Sequence, residues 1–156
     1  MSIEIEHDGF RRLLADLSNG TGETFAASSP RSFEMLVEEG LPVRVTLHPN
    51  ERDLVIDVYA FDAAILTGPV RTTALDVLLS LNHIGLRGRP FAVGLDRRDL
   101  VAVSTRAPLA ELDADTFADL LSYLVRQSLR IRTLLFRLTL GADEISYELT
   151  AAPETS

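Results

Sequence analysis

Phe10, Leu13, Leu14 and Leu17 recur at helical spacing while Arg11, Arg12 and Asp16 fall elsewhere on the wheel, which predicts a helix beginning at Asp8 and ending at Asn19-Gly20. Thr21 to Ser32 is rich in Gly, Ser, Thr and Pro and reads as a loop. Beyond it the apolar period changes from that of a helix to two. Phe33, Met35 and Val37 alternate with Ser32, Glu34 and Glu38; Val43, Val45 and Leu47 alternate with Arg44, Thr46 and His48; and Leu54, Ile56, Val58 and Ala60 carry the same face onto a third strand. Glu38-Glu39-Gly40 and Pro49-Asn50-Glu51-Arg52 supply the turns. The opposite face of the third strand carries Val55, Tyr59 and Phe61 around Asp57, more apolar than an open face needs, so a cover of loop or helix is expected there.

Gly68-Pro69 is expected to break the chain before a second helix over Thr73 to Asn82. At about 100° per residue, Ala74, Leu75, Val77, Leu78, Leu79, Leu81 and Ile84 spread over roughly 220° of that helix, with Thr73, Asp76, Ser80 and His83 on the polar side. One sheet cannot cover so wide an arc. A further element of the chain, or a second copy of it, must pack there, and the expected homodimer interface is Leu75, Leu78, Leu79 and Leu81.

A basic loop over Gly85 to Pro90 leads to a hairpin of Phe91 to Leu95 and Leu100 to Thr105, turned by Asp96-Arg97-Arg98-Asp99. Asp113 is a good N-cap for the last helix, with Asp115 in its first turn. Phe117, Leu120, Leu121, Leu124, Val125, Ser128, Leu129, Ile131 and Leu135 form one face of it, and Arg126, Arg130, Arg132 and Arg137 gather toward the C-terminal end, where the helix dipole favours positive charge. Ile145 to Leu149 reads as a short strand and residues 151–156 as a flexible tail. The order α-β-β-β-α-β-β-α describes an α+β single domain over residues 1–150, with a mainly antiparallel, twisted sheet flanked by helices.

Composition then removes whole classes of function. A chain of 156 residues can bury roughly 70% of its unfolded surface around one core without staples. It has no Cys, which excludes thiol nucleophiles, zinc-thiolate sites and iron-sulfur clusters, and all 15 basic residues are Arg, which excludes a Walker-type phosphate loop and a Schiff-base lysine. A net charge of −8 with scattered arginines argues against nucleic acid. MSIEIEHDGF lacks a basic stretch followed by an apolar run, and no segment approaches the roughly 18 apolar residues of a membrane span, so the expectation is a soluble cytoplasmic protein without membrane insertion.

The candidate chemistry dissolves on inspection. His7, His48 and His83 stand far apart and form no ligand pair, no GxSxG elbow surrounds a serine, and Asn19-Gly20-Thr21-Gly22 follows a helix where a phosphate loop follows a strand. Glu38/Glu39 and Asp113/Asp115 sit where turns and helix N-termini use acids anyway. No catalytic, metal or cofactor residues are assigned. Metal, nucleotide and redox cofactors are expected to be absent.

The run LDVLLSLNHIG, then RPFAVGLDRRDLVAVST, then a Pro-Leu-x-x-Leu-Asp entry to the final helix, resembles the class I chaperones of bacterial type III secretion, the CesT/Tir-chaperone family. The resemblance covers residues 8–135 and rests on apolar patterns with Asn82 at the end of the second helix and a turn at Gly94-Leu95-Asp96. It implies a homodimer, formed largely through the second helix, that holds the N-terminal segment of one or more secreted effector proteins extended for export. It also raises the export-apparatus ATPase as a further candidate partner. Extended cargo suits strand addition, in which main-chain hydrogen bonds give attachment and side-chain pockets give choice. The resemblance points to a cargo surface on Phe10, Leu13, Leu14 and Leu17 beside Phe33, Met35, Val101 and Val103. The competing expectation is that these residues close the core. Two other functions stay open: an adaptor or regulator binding a folded cytoplasmic protein, and a small-ligand domain built around Asp57 and Tyr59.

Overall fold

The computed structural model describes residues 3–22, 25–85 and 90–140. Three helices, α1 (Asp8–Thr21), α2 (Gly68–Gly85) and α3 (Ala114–Leu138), accompany β1 (Ala27–Ser29), β2 (Ser32–Leu36), β3 (Pro42–Leu47), β4 (Asp53–Asp62), β5 (Ala92–Leu95) and β6 (Leu100–Pro108). The strands form one open antiparallel sheet in the order β1-β2-β3-β4-β6-β5, so β1 and β5 are its edges. The α+β class and the element order match expectation with one strand added. Ile145 to Leu149, the tail over residues 151–156 and most of the loop from Gly85 to Pro90 lie outside the described residues.

The chain divides into two compact units, the described parts of Met1–Val58 with Ser104–Val125, and of Tyr59–Val103 with Arg126–Ser156. In the first unit, α1 buries Phe10, Leu13 and Leu17, one stripe at i, i+3 and i+7. The Phe10 ring stacks on Phe33 of β2 with centroids 5.5 Å apart, and Phe25 meets Phe33 from another side at 6.2 Å. Val43, Val45 and Leu47 of β3 and Leu54, Ile56 and Val58 of β4 complete this buried face. Their register, Val43 opposite Val58, Val45 opposite Ile56 and Leu47 opposite Leu54, is the one that places all six of these side chains on one side.

α1 begins at Asp8 as expected, and its C-terminal end departs from the sequence reading. His7 is the N-cap, its Nδ1 accepting from the Phe10 N–H at 3.2 Å. The helix runs through Asn19-Gly20 and stops at Gly22, whose φ of 72° lets its N–H reach the Ser18 carbonyl. Gly20 weakens a helix without ending it, whereas a left-handed cap needs the freedom of Gly22. The expected loop over Thr21 to Ser32 also contains β1. Its Ala-Ser-Ser sequence carries no strand propensity, and side-chain hydroxyls help hold it, with Ser28 Oγ and Ser29 Oγ 2.8 and 2.7 Å from Ser32 Oγ.

In the second unit, α2 begins five residues before the expected start and ends three after the expected stop. Gly68-Pro69 forms its first turn instead of breaking the chain ahead of it, since proline has no N–H to lose there. Ala74, Val77, Leu78 and Leu81 are buried. Phe61, at the end of β4, is buried edge-on against Phe136 of α3 at 5.2 Å and 86°, and Arg98 lies 5.6 Å from the Tyr59 ring centroid; these contacts supply the expected cover within this unit.

Candidate functional site

An extended partner needs an unpaired strand, so the two edges of the sheet are the first places where binding chemistry can lie. At β5 the edge is blocked. Asp96 N–H bonds the Leu100 carbonyl at 3.0 Å, which sets the alternation of this hairpin and turns the N–H and C=O of Val93 outward. Asn82, from the last turn of α2, meets both groups: its Nδ2 donates to the Val93 carbonyl at 3.0 Å and its Oδ1 accepts from the Val93 N–H at 2.5 Å. Only a primary amide presents a donor and an acceptor at this spacing, so Asn82 imitates a neighbouring strand and prevents one from docking. The asparagine and the Gly94-Leu95-Asp96 turn are therefore joined in one device. Asp96 closes the turn by accepting from the N–H groups of Arg98 and Leu100 at 2.8 and 3.0 Å, and the Leu100 bond above all holds its carboxyl below the usual carboxylate range.

At the other edge β1 is three residues long and pairs with only Ser32 and Phe33 of β2. Glu34, Met35 and Leu36 extend past it. Leu36 is 71% exposed at the end of that stretch, beside the half-buried Met35, and both belong to the first unit. Leu36 was missed by pattern because the alternation assigns it to the polar face. Exposure of a large apolar side chain is a tertiary fact.

The residues assigned from sequence to cargo contact fall into two groups. Phe10, Leu13, Leu17, Phe33, Val101 and Val103 are buried, with Phe10, Phe33, Val101 and Val103 wholly so, and Leu14 and Met35 are half-buried. Phe10 and Phe33 touch each other; Val101 and Val103 lie in the second unit, on β6. The residues assigned to the dimer divide likewise. Leu78 and Leu81 are buried within the second unit, whereas Leu75 and Leu79 are exposed, Leu79 to 69%. On α2 the exposed positions Thr72, Leu75, Asp76, Leu79, Ser80 and His83 form one stripe whose centre is the leucine pair at i, i+4. Four residues of the wide apolar arc, Ala74, Val77, Leu78 and Leu81, are thus buried.

Among the described residues, the histidines and acids with printed partners make structural bonds. His7 caps α1 and His48 Nδ1 accepts from the Asn50 N–H at 3.1 Å, so two of the three histidines serve the backbone. Asp57 accepts from the Ser104 hydroxyl across β4 and β6. Among the described residues no group of His, Asp or Glu is arranged to hold a metal ion, and no helix is long and apolar enough to cross a membrane.

This arrangement has solved counterparts. The ExsC–ExsE complex superposes with a TM-score of 0.70 over 83% of this chain and 96% of that one, at 19% identity. The fold is that of type III secretion chaperones. The HopA1–SchA chaperone–effector complex gives 0.67 over 84% and 98% at 14% identity, and the Yersinia pestis type III secretion chaperone SycH, in complex with a stable fragment of YscM2, gives 0.56 over 77% and 97% at 20% identity. Neither a family model nor a curated protein matches the sequence.

Proposed function

We propose that this protein is a cytoplasmic, homodimeric chaperone of type III secretion that binds the N-terminal segment of one or more effector proteins and keeps it extended for export. The observation that carries the reading is the asymmetry of the sheet edges: Asn82 closes β5, while β2 runs past β1 and presents Leu36 in the open. Cargo adds as a strand along Glu34 to Leu36, where main-chain bonds tolerate many sequences and Leu36, Met35 and Leu14 select apolar side chains. Phe10, Leu13, Leu17 and Phe33 support that surface from beneath. The second copy docks on Leu75 and Leu79, which Leu78 and Leu81 hold in place. Nothing in the proposed role requires catalysis, metal or nucleotide. The fold shared with chaperones that are bound to effectors or to other protein fragments supports this reading over an adaptor for folded partners.

The test is co-expression with candidate effectors encoded beside type III export genes. An N-terminal effector segment should co-purify with the dimer and protect the β2 edge from amide exchange. If only folded, full-length partners bind, or if exchange protection falls on β5, the reading is wrong.

A further inference from the structure

The first unit holds a groove of about 810 Å³ between α1 and the connection from β6 to α3, with the β3–β4 turn at one end. Its volume is in the range of peptide and ligand sites. Leu13 of α1 and Leu109 and Leu112 of the connection give it apolar walls. Gly9 lets α1 approach the connection closely: a Cβ there would lie 3.3 Å from Leu109 Cδ2 and from His7 Cε1, so one of them would have to shift. The connection is fixed by the Leu109 N–H, which donates to the Arg52 carbonyl at 2.8 Å.

The charges around this groove are unequally engaged. Glu51 pairs with Arg31 at 3.1 Å, Asp53 pairs with Arg106 at 2.6 Å, and Asp113 accepts from the Thr116 N–H at 2.8 Å as the cap of α3. The guanidinium groups of Arg12 and Arg52 have no partner among the described residues, and against them stands one unengaged carboxylate, Asp16. The unengaged side chains are therefore net positive in a chain whose formal charge is −8. A guanidinium left free beside an apolar wall is suited to a carboxylate, which it grips with two parallel N–H bonds.

We propose that this groove is a second attachment point for extended protein cargo, selecting a segment in which an aliphatic side chain adjoins Asp or Glu. It rests on the peptide-binding reading above but involves neither sheet edge. The apolar residue fills the space between Leu13 and Leu109, and its acidic neighbour pairs with Arg12 or Arg52. The edge holds main chain regardless of sequence; the groove adds a preference for charge.

The probe is a fluorescein-labelled peptide, Gly-Ser-Glu-Leu-Glu-Leu-Ser-Gly, compared with its counterpart carrying Lys in place of Glu, by anisotropy with the full-length protein. The acidic peptide should bind at least tenfold more tightly, and its affinity should fall as salt is raised. The double variant R12E/R52E should reverse the preference while its thermal unfolding stays unchanged, since both side chains are exposed. Equal binding of the two peptides, or a preference that survives charge reversal, overturns the groove. If Leu36→Asp abolishes peptide binding and R12E/R52E does not, the peptide lies on the β2 edge: the groove falls and the chaperone reading stands. If R12E/R52E instead changes the oligomeric state, a second copy occupies the groove and the proposal also falls. If the acidic peptide binds with charge reversal but no effector segment binds, the groove is not a cargo site, and it falls together with the chaperone reading.

Discussion

The β5 edge and the β1–β2 edge solve the same problem in opposite ways. Both are rims of one sheet, and both present main-chain groups that would template another strand. At β5 a single side chain, Asn82, makes a pair of bonds to Val93 and closes the rim. At the other side, a three-residue strand of Ala and Ser covers part of β2 and leaves the rest beside an exposed leucine. The contrast is one of means: an amide side chain caps one rim, and the other ends beside an exposed leucine.

The most damaging substitutions fall on α2, which carries Asn82. Leu78→Asp should unfold the second unit, at a cost of several kcal/mol, because Leu78 is buried and the new carboxylate has no partner; urea denaturation would measure it. Leu78→Asp therefore cannot report on dimerisation alone. The cleaner probe is Leu79→Asp, which should dissociate the dimer in light scattering while the midpoint of unfolding barely moves, since the side chain is exposed. A wild-type chain that is monomeric at micromolar concentration would remove the proposed interface.

Asn82→Ala sharpens the edges themselves. It strips both groups of Val93 of their partner at a cost of about 1–3 kcal/mol, and it frees a second rim, so larger assemblies should appear in sedimentation. Leu36→Ser at the other rim should change stability by no more than about 0.5 kcal/mol, as surface substitutions do, yet weaken an effector segment measurably.

The smallest effect is that of acid. Asp53, Asp96 and Asp113 are held below the ordinary carboxylate range, chiefly by bonds from Asn50, Leu100 and Thr116 respectively. A carboxyl depressed in the folded state stabilises it above the unfolded pKa of about 4, and that contribution is lost as pH falls through the folded value. Stability should therefore be level above about pH 5 with respect to these groups and decline below about pH 4. Asp113→Asn, which keeps an oxygen for the Thr116 N–H but cannot titrate there, should flatten part of that decline in a pH series of urea melts.

The sequence by itself determined the elements whose period is long and one-sided: the buried stripe of α1, the alternation of β2 to β4, the Asp113 cap and the Asp96 turn. These were legible because local spacing decides which face is apolar, and most of each such face is buried. It also determined that Asn82 mattered, through the family pattern, but not why, since only the fold brings Val93 to it. Tertiary structure alone decided which apolar residues remain open. Leu75 and Leu78 are indistinguishable as letters, yet Leu78 is covered and Leu75 is exposed. Leu13 and Leu14 divide less sharply, the first buried and the second half-buried. β1 was illegible because an edge strand of Ala and Ser has no propensity of its own and exists only where β2 offers a partner. Burial depends on what packs against a side chain, and periodicity gives the direction it faces without saying whether anything stands there.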